Sequence, residues 1–241
     1  MIIRSTTSAA STPPLEIRGL SSTDVWDFEN GYHWFSHPTR MGKMIAHYEL
    51  YKQVAHLPGA IVELGVYKVA SIVRFATFRR LLENDDSRQI IGFDMFGSFP
   101  TDGLETPSDL TFAKSFEASG GPGLSIDEAT ALLVRKGFSN IELVGGNVMD
   151  TLATYLDQRG HLRVALAHLD MDVKEPTTHA LALLYDRVVP GGLIVFDDYG
   201  TVAGETEAVD EFIAEKGLTI ERTPFNYIPS YVRKPDVSVG A

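Results

Sequence analysis

Short apolar runs alternate along this chain with segments of helical spacing, and that alternation leaves few folds open. Runs at 60–64, 89–93, 141–144, 163–169 and 192–196 are apolar through most of their length, as strands buried on both faces must be. Helical patterns fill the gaps at 70–82, 125–136, 151–158, 176–188 and 205–216. Strands separated by helices imply a parallel sheet covered on both faces, an α/β fold. An earlier helix is expected over 39–57, where Met41, Met44, Ile45, Tyr48, Tyr51 and Val54 recur at helical spacing and Pro58-Gly59 ends the pattern. Two further strands are expected at 218–221 and 231–233, one of them antiparallel. Residues 95–124 read as a long connection rich in Gly and Pro, of the kind that covers a site or moves.

The chain has 241 residues, 44% of them hydrophobic, enough to bury the core of a single α/β domain. Residues 1–14, rich in Ser and Thr and closed by Pro13-Pro14, read as a flexible tail. Residues 15–58 read as an N-terminal helical cover and 59–241 as the catalytic domain. A formal net charge of −11 argues against a nucleic-acid partner or an anionic membrane surface, so a small-molecule substrate is expected. Cysteine is absent, which suits a reducing cytoplasm. There is no apolar leader segment, and no run approaches the roughly 18 to 20 apolar residues of a membrane span. A cytoplasmic protein is therefore expected.

Acidic residues cluster after two of the strand runs, in His168-Leu169-Asp170-Met171-Asp172 and in Phe196-Asp197-Asp198-Tyr199. In a parallel sheet both groups reach the same end. Four carboxylates that close cannot all stay ionised unless something positive sits among them, and oxygen-only ligands favour a hard cation such as Mg²⁺. Strand alternation lets Asp170 and Asp172 point the same way, with Asp197 arriving from the next strand and Asp198 from the turn after it. The competing reading is structural: Asp172 or Glu175 capping the helix opened by Pro176, and Asp198 merely solvated.

Ligands of open parallel sheets sit beyond the carboxyl ends of the strands. The first strand ends Glu63-Leu64-Gly65-Val66-Tyr67-Lys68-Val69-Ala70-Ser71, with a glycine at the turn but no complete dinucleotide fingerprint. Glu63 there suits a cationic cofactor, and S-adenosylmethionine carries both an ammonium and a sulfonium. Asp94, at the end of the second strand, is placed to accept hydrogen bonds from ribose hydroxyls. Gly145-Gly146-Asn147, followed by Asp150, would let a flat adenine approach and read its amino group. Each feature has a plain alternative as turn or cap chemistry.

The residues Asp170-Met171-Asp172-Val173-Lys174-Glu175-Pro176-Thr177, Leu184-Tyr185, Pro190-Gly191-Gly192 and Asp197-Asp198-Tyr199 closely resemble the macrocin O-methyltransferase family. The resemblance extends over about residues 61–200. It implies a class I methyltransferase sheet, Mg²⁺ and S-adenosylmethionine as cofactors, and methylation of a deoxysugar hydroxyl in antibiotic biosynthesis. It further implies Asp170, Asp197 and Asp198 as metal ligands and Asp172 as general base, with Glu63, Gly65, Ser71 and Asp94 holding the cofactor. Two positions depart from the pattern: Ala70 replaces a usual glycine, and Lys174 stands where tyrosine is common.

His179 is a candidate auxiliary base, one turn into the helix after Asp172; the alternative is a helix-surface residue. His168 is expected on the opposite side of its strand from Asp170, in a packed role. His33, His37, Tyr32, Trp34 and Phe35 either close over the acceptor or anchor the first long helix. The rival activities are O-methylation of a catechol-like hydroxyl and a metal-dependent hydrolase or hydroxylase on the same sheet; a non-catalytic binding module is a third class. A homodimer through the N-terminal helices is the expected assembly.

Overall fold

A computed structural model of the chain describes residues 2–3 and 13–236. In chain order the elements begin with β1 (Ile2–Ile3), β2 (Glu16–Ile17), β3 (Leu20–Ser21), α1 (Val25–Phe35), α2 (Pro38–Val54), β4 (Ala60–Leu64) and α3 (Ala70–Leu82). Next come β5 (Ile90–Asp94), α4 (Pro107–Gly120), α5 (Ile126–Arg135), β6 (Ile141–Gly145), α6 (Val148–Asp157) and β7 (Val164–Leu169). The chain ends with α7 (Lys174–Leu184), β8 (Val188–Phe196), α8 (Ala203–Lys216), β9 (Ile220–Arg222) and β10 (Ser230–Arg233). The main sheet runs β1-β6-β5-β4-β7-β8-β10-β9. Strands β6, β5, β4, β7 and β8 are mutually parallel, whereas β1, β10 and β9 pair antiparallel with their neighbours. The order reverses between β4 and β7, and a ligand site is expected outside the carboxyl ends of these strands.

Alternation along the strands divides the core in two. Ile61, Ile90, Ile141 and Val195 pack on one face with Leu50, Tyr51 and Val54 of α2, Ile72 and Phe75 of α3, and Leu133 of α5. Val62, Ile91, Leu169 and Phe196 pack on the other face with Leu152 of α6, Leu181 of α7, and Val209 and Phe212 of α8. Both faces are covered, which is why the parallel strands are apolar throughout.

Three elements differ from expectation. The 95–124 connection holds a helix, α4, whose start is capped by Thr106 and set by Pro107 at its first position. Buried Asp109 of α4 accepts from the Lys174 N–H at the start of α7 (2.9 Å), tying this connection over the end of the sheet. Strand β8 begins at Val188, before the expected 192, and the register with β7 shifts between the Val164 and Leu166 pairs. Pro190 falls inside that irregular stretch, where a missing ladder donor is tolerated. Helix α1 was not foreseen and buries none of its residues. Of the expected tail, Ile2 and Ile3 pair with β6, while residue 1 and residues 4–12 lie outside those described. Among the described residues, no helix is long and apolar enough to cross a membrane.

A buried guanidinium fixes the opposite end of the sheet. Arg79 of α3, fully buried, donates to the carbonyls of Arg88 (2.7 Å), Asn140 (3.2 Å) and Ser139, and faces Asp85 at 3.5 Å. These carbonyls lead into β5 and β6. Arg79→Met would remove these donors, leaving the Asn140 carbonyl only the Ile90 N–H (3.1 Å), and unfolding in urea should show a loss of about 3 kcal/mol. A change within experimental error would show that the cluster does not brace the sheet.

Candidate active site

Close packing of strand exits builds the site. The chain leaves β4 at Gly65 with φ +91°, and a Cβ there would stand 1.8 Å from the Asp170 carbonyl oxygen. Only glycine fits so close to the β7 exit, and the Asp170 N–H donates to the Leu64 carbonyl across the same gap (2.9 Å). Asp94, at the tip of β5, braces the turn. Its Oδ2 accepts from the Val66 and Tyr67 N–H groups at 2.8 Å each, and its Oδ1 accepts from Phe96 N–H at 2.6 Å. Tyr67 and Val69 both hold positive φ, a strained arrangement for β-branched Val69; the Asp94 bond holds Tyr67, and the Val69 N–H donates to the Val66 carbonyl (2.8 Å).

A cleft of about 370 Å³ opens beyond these tips. Gly65, Ser71, Asp94, Gly146, Asn147, Asp170, Asp172, Asp197 and Asp198 line it, as do Ala70, Glu175, Arg74 of α3 and, from the cover, Arg40, Lys43 and His47. Its size suits a bound small molecule. Asp170, Asp197 and Asp198 each present an oxygen within 4.8 Å of the others, a set that can hold a cation. Asp172 adopts a left-handed conformation (φ +68°) beyond the end of β7, where the Asp198 charge is the strongest of the neighbouring charges acting on it. Strand alternation therefore stops short of it.

The electrostatics are dominated by crowding. Glu63, Asp170, Asp172, Asp197, Asp198 and Glu205 outnumber the cations that act on them: Lys43 and His168 in contact, and Arg74 through its charge alone. Burial, reinforced by the Asp197 charge, pushes Asp170 well above the usual carboxylate range. Burial and neighbouring Asp198 do the same to Asp172, and burial raises Glu205. Burial would also raise Asp197, but the His168 hydrogen bond and the Lys43 charge outweigh it and hold Asp197 well below that range. These acids lack positive charge, and hard oxygen donors grouped this way match Mg²⁺.

His168 corrects the expectation made for it. It lies two residues before Asp170, hence on the same face, and sits fully buried between Glu63 Oε1 (3.1 Å from Nδ1) and Asp197 Oδ1 (3.2 Å from Nε2). Burial alone would lower its pKa; the hydrogen bonds to Asp197 and Glu63 outweigh burial and raise it to about 10. His47 stacks on Phe75 and stands 3.6 Å from Asp197, too far for a hydrogen bond, and burial lowers its pKa to about 4.

Other expected residues fall elsewhere. Glu63 does not line the cleft: it is fully buried behind the β4 turn, where Oε1 accepts from the Ser71 hydroxyl and Oε2 has no partner. Asp150 is exposed on the first turn of α6 and His179 is half-buried on α7; neither lines the cleft. Asn147 caps α6 through Met149 N–H (3.0 Å). Lys174 points to Glu211 (2.8 Å) and Glu207 (3.1 Å) of α8, so its departure from the family pattern leaves the cleft wall unchanged. Trp34 and Phe35 are 70% and 84% exposed, neither closing over the cleft nor anchoring a helix. Tyr32, whose ring meets that of His33, also stays off the wall.

The residues that sequence reasoning missed come from the cover. Lys43, whose ammonium pairs with Asp197 Oδ2, and His47 lie four apart and continue toward the N-terminus the stripe formed by Leu50, Tyr51 and Val54. A lysine and a histidine in line with a buried stripe are the available signal. Phe116 of α4, which packs on the Tyr67 ring (centroids 5.0 Å apart), belongs to a helix that Thr106-Pro107-Ser108-Asp109 announces.

Residues 38–234 match the Macrocin-O-methyltransferase (TylF) family profile. The chain belongs to this family. It is 27% identical over 165 residues to the 8-demethyl-8-(2,3-dimethoxy-alpha-L-rhamnosyl)-tetracenomycin-C 4'-O-methyltransferase of Streptomyces olivaceus, covering 68% of this chain and 61% of that one. It is 27% identical over 183 residues to the demethyldecarbamoylnovobiocin O-methyltransferase of Streptomyces niveus, covering 69% and 64%. The match thus spans under two thirds of either relative. Among solved structures, the calicheamicin methyltransferase CalS11 superposes with a TM-score of 0.65 at 25% identity, covering 88% of this chain and 86% of that one. The O-methyltransferase NovP shares the fold, with a TM-score of 0.70 at 21% identity and coverage of 81% and 80%. The α/β sheet with helices on both faces is that of the class I methyltransferases.

The Gly65 turn gives the site its sharpest structural test. Gly65→Ala combines an unfavourable φ with a backbone collision, and urea unfolding should show a loss of about 2 kcal/mol or more. An unchanged midpoint and slope would refute the close approach of the β4 and β7 exits.

Proposed function

We propose that this chain is a Mg²⁺-dependent, S-adenosylmethionine-dependent O-methyltransferase that methylates a deoxysugar hydroxyl in the cytoplasmic assembly of a natural product. The observation that carries the reading is the meeting of Asp170, Asp197 and Asp198 beside the Gly65 turn. Family membership supports methyl transfer, and the named activities of the tetracenomycin and novobiocin relatives support a glycosylated or sugar acceptor.

When bound, S-adenosylmethionine supplies the methyl group and Mg²⁺ polarises the acceptor hydroxyl. Asp170, Asp197 and Asp198 would hold the ion. Lys43 already pairs with Asp197 from the cover side. Gly65 and Ser71 form the wall against which the cofactor rests, and Asp94, whose oxygens already brace the turn, offers its remaining lone pairs to ribose hydroxyls. Gly146 and Asn147 stand on the adenine side. Glu63 acts from behind the wall by orienting Ser71 and His168 rather than by touching the cofactor. Asp172 would take the proton from the acceptor oxygen. Its left-handed backbone, fixed between the β7 exit and α7, turns the carboxylate toward the cleft.

Asp172→Asn should lower kcat by about 10² to 10⁴ and leave calorimetric affinity for S-adenosylhomocysteine essentially unchanged. The reverse pattern would overturn the role of Asp172. S-adenosylmethionine at a hundredfold excess over its Kd should stabilise the wild type by about 2.7 kcal/mol. No rise in melting temperature would refute the cofactor, and turnover of catechols but not of deoxysugars would refute the acceptor.

A further inference from the structure

Four cations line the cleft: Arg40, Lys43, Lys68 and Arg74. Two of them are engaged. Lys43 pairs with Asp197, and Lys68 donates to the Gly120 carbonyl at 2.6 Å. The side chains of Arg40 and Arg74 have neither a hydrogen bond nor an ion pair with any described residue. This is unusual in a chain with a net charge of −11, where carboxylates are plentiful.

Their placement is specific. Arg40 lies one helical turn before Lys43 on α2, and Arg74 lies one turn after Ser71 on α3. The two guanidiniums thus rim the cleft one turn outward from the points where α2 meets Asp197 and α3 meets Glu63. They are close enough to feel each other: burial lowers the Arg74 pKa, and the Arg40 charge lowers it further. Arg40 also sits in the first turn of α2, which carries no acid, so a cation stands where the helix dipole favours an anion. The Asp197 and Glu63 charges act on Arg74 without touching it, and two like charges held together at a helix start with no carboxylate in contact favour an anionic ligand that completes the site.

We propose that Arg40 and Arg74 form an oxyanion subsite that takes the diphosphate of a nucleotide-linked sugar, so that this chain methylates the activated sugar before its transfer to an aglycone. The inference rests on the methyltransferase reading of the cleft and specifies its acceptor. The cofactor's carboxylate has the same chemistry, but it brings one negative charge within a molecule that also carries an ammonium and a sulfonium. A diphosphate matches two guanidiniums in charge and in the planar, bidentate geometry that arginine offers. The sugar attached to it would extend inward toward Asp170, Asp172, Asp197 and Asp198. The reaction that supplies this substrate is then a nucleotide-sugar modification, and the one that consumes the product is a glycosyl transfer.

Calorimetry with the full chain in EDTA, so that no divalent ion takes part, separates the sources. The probes are uridine diphosphate, thymidine diphosphate, inorganic pyrophosphate and S-adenosylhomocysteine. The wild type should bind at least one nucleoside diphosphate, with pyrophosphate as a competitor. Arg40→Met and Arg74→Gln should each weaken that binding by about tenfold or more, and the matching lysine variants by less. S-adenosylhomocysteine affinity should stay within about twofold of wild type in all four variants. No diphosphate binding to the wild type, or binding indifferent to both variants, overturns the subsite. So does a loss confined to S-adenosylhomocysteine, which would give the arginines to the cofactor carboxylate. Failure of S-adenosylhomocysteine to bind the wild type would instead refute the methyltransferase reading, and the diphosphate titration remains readable alone. Unchanged melting temperatures of the variants exclude unfolding as the cause of lost binding.

Discussion

Asp197 remains ionised at the floor of the cleft because His168 and Lys43 both face it, and the rest of the site is arranged around that charge. Asp197 continues β8 and His168 belongs to β7, with Asp170 two residues further along the same face. Register between two neighbouring strands therefore decides that these groups meet. The same imidazole reaches Glu63 on β4, so one buried side chain spans the strand-order reversal where the ligand site opens. The remaining acids crowd against a charge that two cations only partly offset. Their raised pKa values express that deficit.

The cover helix takes part in this balance. Lys43 brings one positive charge to Asp197 from α2, an element outside the alternating strand-helix pattern. Its ammonium reaches a carboxylate proposed to hold the metal, which couples the position of α2 to the state of the cleft. Asp109 of α4 anchors the other cover segment by capping α7, immediately after the Asp172 turn. Both covering segments are thus tied by buried polar contacts to the loops that carry the acids.

The alternation of apolar runs and helices was enough to read the parallel sheet, because strands buried on both faces can tolerate few polar residues. The acids after 169 and 196 were equally legible, since strand direction alone brings them to one end. What failed depended on tertiary contact. Glu63 looked like a cofactor ligand, but the Ser71 and His168 contacts draw it behind the wall. His168 needed only the two-residue period to be placed correctly. Asp150 and His179 stood near the right motifs in sequence, yet helix rotation turns them away from the cleft. Arg40, Lys43 and Arg74 carry no local signal of a site except their positions on otherwise buried helix faces.

The account turns on the carboxylates of two neighbouring strand tips sharing one divalent ion. Titration of the purified, chelator-treated chain with Mn²⁺, followed by electron paramagnetic resonance, tests this directly, because free and bound Mn²⁺ give distinct signals and no turnover is needed. One tight site per chain is predicted, displaced by excess Mg²⁺ and lost in both Asp170→Asn and Asp197→Asn. Retention of that site in either variant, or its absence from the wild type, would contradict the account.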